Sequence, residues 1–250
     1  MSKAREVLRA ADRMAEDLED RVRDEPAVRA VLRRASGKRV EDPAVLPVHG
    51  FVARYLDRLL TSIESDGKAR WWFPERDVER AFYGVAAMIA AQPRQARDRV
   101  STGDDESSPE QDPQDASPAD RETPGEDGAE QRVTDPLRRH ANLGAALGMA
   151  VTKGWLNADT TEERLHLLCR QSNDGVHAQL PRLILHARDK DVRIDWGRLA
   201  LDLARWGADR DSVAKEWVQS YHRTIETERA RREEARTQHT STDDSEDHAA

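Results

Sequence analysis

Apolar residues recur at three- and four-residue intervals along nearly every stretch of this chain that has enough of them to fold. No run alternates apolar and polar over the length of a strand. Val7, Ala11, Met14, Leu18 and Val22 form a first stripe. Pro26 opens a second helix at its first position, where the missing N–H is harmless; that helix carries Val28, Val31 and Leu32 and ends near Ser36-Gly37. Phe51, Tyr55, Leu59 and Ile63, with Val52, Leu56 and Leu60 beside them, predict a third helix, and Val78, Phe82, Val85 and Ile89 a fourth. Leu143, Leu147 and Val151 predict another. Thr160 and Glu163 have capping-box spacing ahead of Leu165, Leu168 and Cys169. Val176, Leu180, Leu183, Ile184 and Ala187 share one face, with Pro181 marking either a kink or a helix start. The predicted class is all-α.

The stretch "RIDWGRLALDLARWGADRDSVAKEWVQSY", residues 193–221, holds three of the six tryptophans. With Asp195 as N-cap, Trp196, Leu199, Leu203 and Trp206 fall on one helical face and Arg198, Asp202 and Arg205 on the other. Gly207 ends that helix, "GADRD" turns the chain, and Val213, Trp217, Ser220, Tyr221 and Thr224 line the next. The indoles serve as anchors of a helical hairpin rather than base-stacking platforms, because they share their faces with leucine, valine and tyrosine.

The net charge of −8 is unevenly spread. Residues 101–136 carry twelve acids and two arginines; 233–250 carry six acids and one arginine. Without these two segments the chain is at +7. Both lack apolar periodicity and are too polar to offset the entropy of ordering, so they read as a disordered acidic insert and a disordered tail. The remaining, basic part suits a polyanionic partner. The single cysteine, Cys169, excludes an internal disulfide and a multi-cysteine zinc site. The N-terminus, acidic from Glu6 onward and without an apolar run, is neither a secretory signal nor a membrane span, so the expected location is cytoplasmic.

No phosphate-binding glycine loop, H-E-x-x-H or G-x-S-x-G is present. His166 and Cys169, three apart, read as a histidine beside a buried thiol; His177 and His186, nine apart, have no supporting ligand. No catalytic residue, metal or cofactor is expected. Two basic groups stand out. Arg29, Arg33, Arg34, Lys38 and Arg39 lie on and just after the second helix, more cations than complementing its dipole requires. Arg182, His186 and Lys190 share a helical face, with Arg193 just beyond. Neither group carries a base-reading motif, so contacts to nucleic acid would be to phosphates and indifferent to sequence.

"IDWGRLALDLARWGADRDSVAKEW" resembles the C-terminal signature of the CasB family, the small subunit of the type I-E CRISPR Cascade complex: [IL]-D-[WY], a leucine-bearing helix, a tryptophan-containing end and another helix. Three stretches follow the family's order: "NLGAALGMAV" resembles its SLGRAL element, "EERLHLLCRQS" its RRF helix, and "LPRLILHARDKDVRIDW" its LRRL-to-IDW segment. "VRAVLRRASGK" and "ERAFYGVAAMIAAQ" resemble earlier elements, so the likeness spans most of 26–225.

The helical stretches and the two acidic segments together predict two packed helical bundles, residues 1–92 and 137–232, separated by the insert at 93–136 and followed by the tail at 233–250. The resemblance implies a helical, non-catalytic role, with no enzyme activity. The expected partners are crRNA, the target and displaced DNA strands, other Cascade subunits and a second copy of the chain, without a membrane. Arg33, Arg34, Arg164, Arg170 and Arg182 match basic positions of the family motifs. Lys38, Lys190 and Arg193 join them from the two basic groups as expected nucleic-acid contacts, and Lys153 is a further basic residue within reach of such a role. Ala145, Glu163 and Pro181 stand where the family motifs have arginine, so three phosphate contacts are missing from the pattern. The competing expectation is a helical protein-binding adaptor or regulator that touches no nucleic acid.

Overall fold

The computed structural model describes residues 3–64, 74–98 and 140–246, and among these every regular element is helical. In chain order they are α1 (Lys3–Asp24), α2 (Pro26–Leu32), α3 (His49–Glu64), α4 (Glu75–Ala91), α5 (Arg94–Asp98), α6 (Leu143–Thr152), α7 (Ala158–Cys169), α8 (Asn173–Asp189) and α9 (Trp196–Glu246), with 3₁₀ turns at Arg33–Ala35 and Leu46–Val48. None of the described helices is long and apolar enough to cross a membrane.

The stripe of α1 is buried throughout, as is that of α4. Among the described side chains of α3, Val52, Leu56 and Leu59 are buried; the expected Leu60 and Ile63 lie outside them. Phe51 and Tyr55, on the edge of that stripe, are half-buried and capped by guanidiniums, Arg21 at 4.9 Å and Arg54 at 4.8 Å from the ring centres. At α7 the cap is Asn157, whose side chain accepts from the Thr160 N–H at 3.0 Å, so the helix starts ahead of the Thr160–Glu163 pair. The helix α8 begins at Asn173 behind a Ser172 cap and runs through Pro181 rather than starting there.

The expected hairpin is present within α9. Asp209, at φ −144° and ψ 46°, leaves helical geometry and divides the element into two arms. Asp202 and Trp217 are hydrogen-bonded at 2.7 Å, although fifteen residues of unbroken helix would separate them by about 22 Å. Asp195 caps the first arm through the Arg198 N–H at 2.8 Å. The three indoles are buried, and each N–H has a partner: Glu19 for Trp196, the Gln171 carbonyl for Trp206 and Asp202 for Trp217. The rings of Trp206 and Trp217 meet at 4.9 Å.

The polar face of Arg198, Asp202 and Arg205 is turned toward the second arm rather than toward solvent. They are enclosed between the arms. Asp202 is fully buried and accepts from Arg198 Nε at 2.9 Å; Glu216 of the second arm takes Arg198 at 2.8 Å and Arg205 at 3.0 Å. A single helix's periodicity cannot register the arm that folds back over it.

The element α9 is where the two halves of the chain meet. From the first half α1 and α4 pack against it, and from the second α6 and α7. Buried residues of both halves form one continuous core. The approach of α6 is close enough to require glycine: a Cβ on Gly144 would sit 1.8 Å from the Trp217 carbonyl oxygen, and one on Gly148 2.7 Å from that of Tyr221.

Two expected boundaries shift. Residues 94–98, assigned to the insert, form α5, with Ala96 buried and its carbonyl accepting from Arg188 at 3.0 Å. The rest of the expected insert lies outside the described residues. The tail expected to be disordered from residue 233 continues α9 to Glu246. Extending an existing helix costs far less than nucleating one, and Glu, Ala and Arg favour it.

Candidate nucleic-acid interface

The first basic group is carried by a tight turn. Ala35 is buried and Leu32 fully so, which pins the end of α2 and its 3₁₀ extension against α4 and leaves Arg33 and Arg34 pointing into solvent. Neither is in an ion pair with another described residue. Gly37 then reverses the chain at φ +70°, a conformation in which a side chain would be strained. Arg29, half-buried on α2, has no ion pair among the described residues either, whereas Lys38 and Arg39 are engaged. Lys38 is exposed but lies 3.5 Å from Asp42, and Arg39 pairs with Asp174 at the start of α8.

The second group forms a row along α8. Ala178, Arg182, His186 and Lys190 follow one another at four-residue intervals and are all exposed, as the sequence pattern predicts. Arg182 has no ion pair among the described residues; Lys190, the C-cap, is 4.0 Å from Asp189. Arg193 is exposed in the connection to α9.

The fold sets the Gly37 turn of the first group against the start of α8, which carries the second. A Cβ on Gly37 would lie 3.6 Å from the His177 carbonyl and 3.7 Å from the Ala178 Cα. Ala178 heads the α8 row, and Arg182 is one turn, about 6 Å, further along. Pro181 has a part in this. Lacking an N–H, it leaves the His177 carbonyl without its usual helical donor, on the side where the Gly37 backbone packs.

Arg164 and Arg170 lie on a different element. They share the exposed face of α7 with Leu167, and Arg170 caps that helix two residues before Ser172. Neither is in an ion pair among the described residues. Of the positions that depart from the family motifs, Glu163 is exposed on the same face, Ala145 is half-buried on α6 beside the tight Gly144 contact, and Pro181 is half-buried. Lys153 lies 4.6 Å from the centre of the exposed indole of Trp155.

Sequence reasoning missed a cleft next to the turn, lined by Arg39, Arg76, Arg80, Ser172, Asn173 and Asp174. Asp174 receives both Arg39 and Arg80, whose hydrogen bonds hold its carboxyl below the usual carboxylate range. Arg80 Nε, Asn173 Oδ1 and His177 Nε2 are buried beside it without a hydrogen-bond partner. The "ERDVER" that carries Arg76 and Arg80 reads as an ordinary helix start, and only the arrival of Asp174 from far along the chain makes a cleft of it. Arg188 was also overlooked. It is buried and bonded to Gln92 at 2.7 Å and to the carbonyls of Val192 and Ala96, so it is a structural cation.

Neither Cys169 nor the His177–His186 pair forms a reactive arrangement. Burial pushes the Cys169 thiol up to about 11, away from thiolate, and its Sγ faces the Ala214 carbonyl at 3.8 Å. His177 is buried, and burial together with Arg80 lowers its pKa to about 3; His186 is exposed on the other side of α8.

A family model described as CRISPR-associated protein Cse2 matches residues 28–222. A chain of a solved "CRISPR RNA-guided surveillance complex, pre-nicking" is 41% identical, with 88% of this chain and 96% of that one covered and a TM-score of 0.65. A second structure, "CRISPR RNA-guided surveillance complex", gives the same identity and coverage with a TM-score of 0.62. The crystal structure of CasB from M. ruber is similar in fold, at 18% identity over 87% of this chain and 97% of that one, with a TM-score of 0.50. No curated protein sequence matches.

Proposed function

This chain belongs to the CRISPR-associated Cse2 family, the CasB family whose motifs its sequence carries, and from that membership we propose that it is the small, non-catalytic subunit of a type I-E RNA-guided surveillance complex in the cytoplasm. In this reading it lies among the other Cascade subunits, beside a second copy of itself, and steadies the crRNA–target hybrid and the displaced strand. Base pairing reads the sequence, and this subunit supplies positive charge to phosphates.

The observation that carries the proposal is the meeting of the Arg33–Lys38 turn with the exposed row of α8 at Gly37 and Ala178, with Arg33, Arg34 and Arg182 outside any ion pair among the described residues. Guanidiniums not committed to carboxylates are available to phosphates without first breaking an internal pair. Arg164, Arg170, Lys190 and Arg193 extend the contacts; Lys38 contributes by exchanging Asp42 for phosphate.

Charge reversal of Arg33, Arg34 and Arg182 together tests it. In the assembled complex, target binding weakens and the slope of log K against log [salt] falls in magnitude by about 2, near 0.7 for each single-strand phosphate no longer neutralised. An unchanged affinity and slope, with assembly intact, would falsify the assignment of these contacts. Leu167 and Leu185, 56% and 45% exposed on the same helices as Arg164 and Arg182, favour a second reading in which these faces seat protein. That reading predicts a failure of assembly from Leu167→Ser and Leu185→Ser, with nucleic-acid affinity unaffected by the arginine reversals.

A further inference from the structure

Two imidazoles and a carboxylate converge where α7 packs on the second arm of α9. Glu162 and His166 are four residues apart on α7, hence on one face and about 6 Å apart along the axis. His222 reaches them from α9. One ligand atom from each of the three lies within 4.8 Å of the other two. The backbone beneath is held in place: Thr161, Leu165 and Leu168 of α7 are buried, and Tyr221, next to His222, donates to the Ala158 carbonyl at 3.2 Å.

These side chains face one another without bonding. His222 Nε2 and Glu162 Oε1 are 3.8 Å apart, beyond hydrogen-bond reach, and His166 has no hydrogen-bond partner among the described residues. Atoms bound at about 2.0–2.2 Å around one tetrahedral cation lie roughly 3.4 Å from each other, so a small rotamer adjustment closes the set. The Glu162 and His222 side chains are 41% and 45% exposed, which leaves the site open to solvent and its fourth position to water.

A second group, Asp12, His140 and Asp195, has comparable spacing, but its donors are in use. His140 Nδ1 is 2.6 Å from Asp195 Oδ2, and the other oxygen of Asp195 caps α9.

We infer that Glu162, His166 and His222 form a site for a divalent transition cation of the zinc class, which ties α7 to the second arm of α9. Two neutral imidazoles select Zn²⁺, Co²⁺, Ni²⁺ or Cu²⁺ over Mg²⁺ and Ca²⁺, and the carboxylate supplies the third ligand. A bound cation bridges two helices otherwise joined by packing, the Tyr221 bond and the Cys169–Ala214 contact, so it adds to their cohesion without altering the core.

The test titrates Zn²⁺ into the untagged full-length chain with His239→Asn and His248→Asn in the tail, and follows calorimetric heat, Tm and, with Co²⁺ as probe, visible absorption. One equivalent is taken up, Tm rises with Zn²⁺ concentration, and Co²⁺ gives the absorption of a low-coordinate site. His166→Ala and His222→Ala each weaken uptake at least tenfold, Glu162→Gln weakens it and changes the Co²⁺ spectrum, and His140→Ala has no effect. Far-UV circular dichroism confirms that each variant is folded; should either alanine variant fail to fold, Glu162→Gln and the glutamine replacement of that histidine take its place. Absence of saturable uptake overturns the inference, as does uptake that survives loss of either histidine or disappears with His140.

Discussion

At the scale of single residues, two titrating groups, one buried and one half-buried, act in opposite directions on stability. His177 has its pKa lowered to about 3 in the fold, so its contribution is intact above its unfolded value of about 6.5 and is lost as pH falls toward 3. Asp12 has its pKa raised to about 6, chiefly by burial. Its contribution is therefore complete below its unfolded value and disappears as pH rises through 6. From pH 7 to pH 5 the first effect costs about 2 kcal/mol, while the second, discounted because Asp12 is half-exposed, returns less than about 1 kcal/mol. Of these two groups the histidine outweighs the aspartate, so their combined contribution is smaller at pH 5 than at pH 7. Thermal melts should show that His177→Gln flattens this dependence, and that Asp12→Asn is about 1 kcal/mol more stable than the parent at pH 7 and equal to it at pH 4. The burial of His177 is legible in the sequence, because residues 177, 180, 184 and 187 share one helical face. What it packs on is not. Gly84, whose Cβ would stand 3.1 Å from the His177 ring, belongs to a different helix with no sequence link to it.

At the scale of elements, the hairpin in α9 tests how far periodicity carries. The cap at Asp195, the break after Gly207 and the indole faces all follow from local pattern and turn chemistry. The network of Arg198, Asp202, Arg205 and Glu216 does not, since it exists only once the arms have closed. Asp202→Ala should destabilise the protein by about 3–5 kcal/mol in denaturant titration, because it removes one of the two carboxylates on the buried Arg198 guanidinium and leaves the Trp217 N–H without its acceptor. A cost under about 1 kcal/mol would mean that the arms are held by indole packing alone. The expected basic row of α8 has the same standing. Its four-residue spacing is written in the chain, whereas its meeting with the Gly37 turn depends on α4 presenting that turn to α8.

For the whole molecule, the all-α class and the order of helices were readable because each helix carries its own stripe. The sharing of one core between the halves was not readable, because an amphipathic face does not state what will cover it. Since α1 and α4 lie against α9, the fragment 140–232 on its own uncovers that surface. We expect the intact chain to unfold in one cooperative transition and the fragment to show neither a cooperative melt nor a dispersed amide spectrum. A fragment that melts cooperatively would assign the two halves separate stability.

The glycines of α6 have a mechanical consequence. Where backbone rests directly on backbone there is no side chain to re-pack, so neither helix can slide past the other by small steps. With both halves clamped to the same α9 hairpin, a load applied to one half is passed to the other as a rigid-body push rather than absorbed by sliding at this seam.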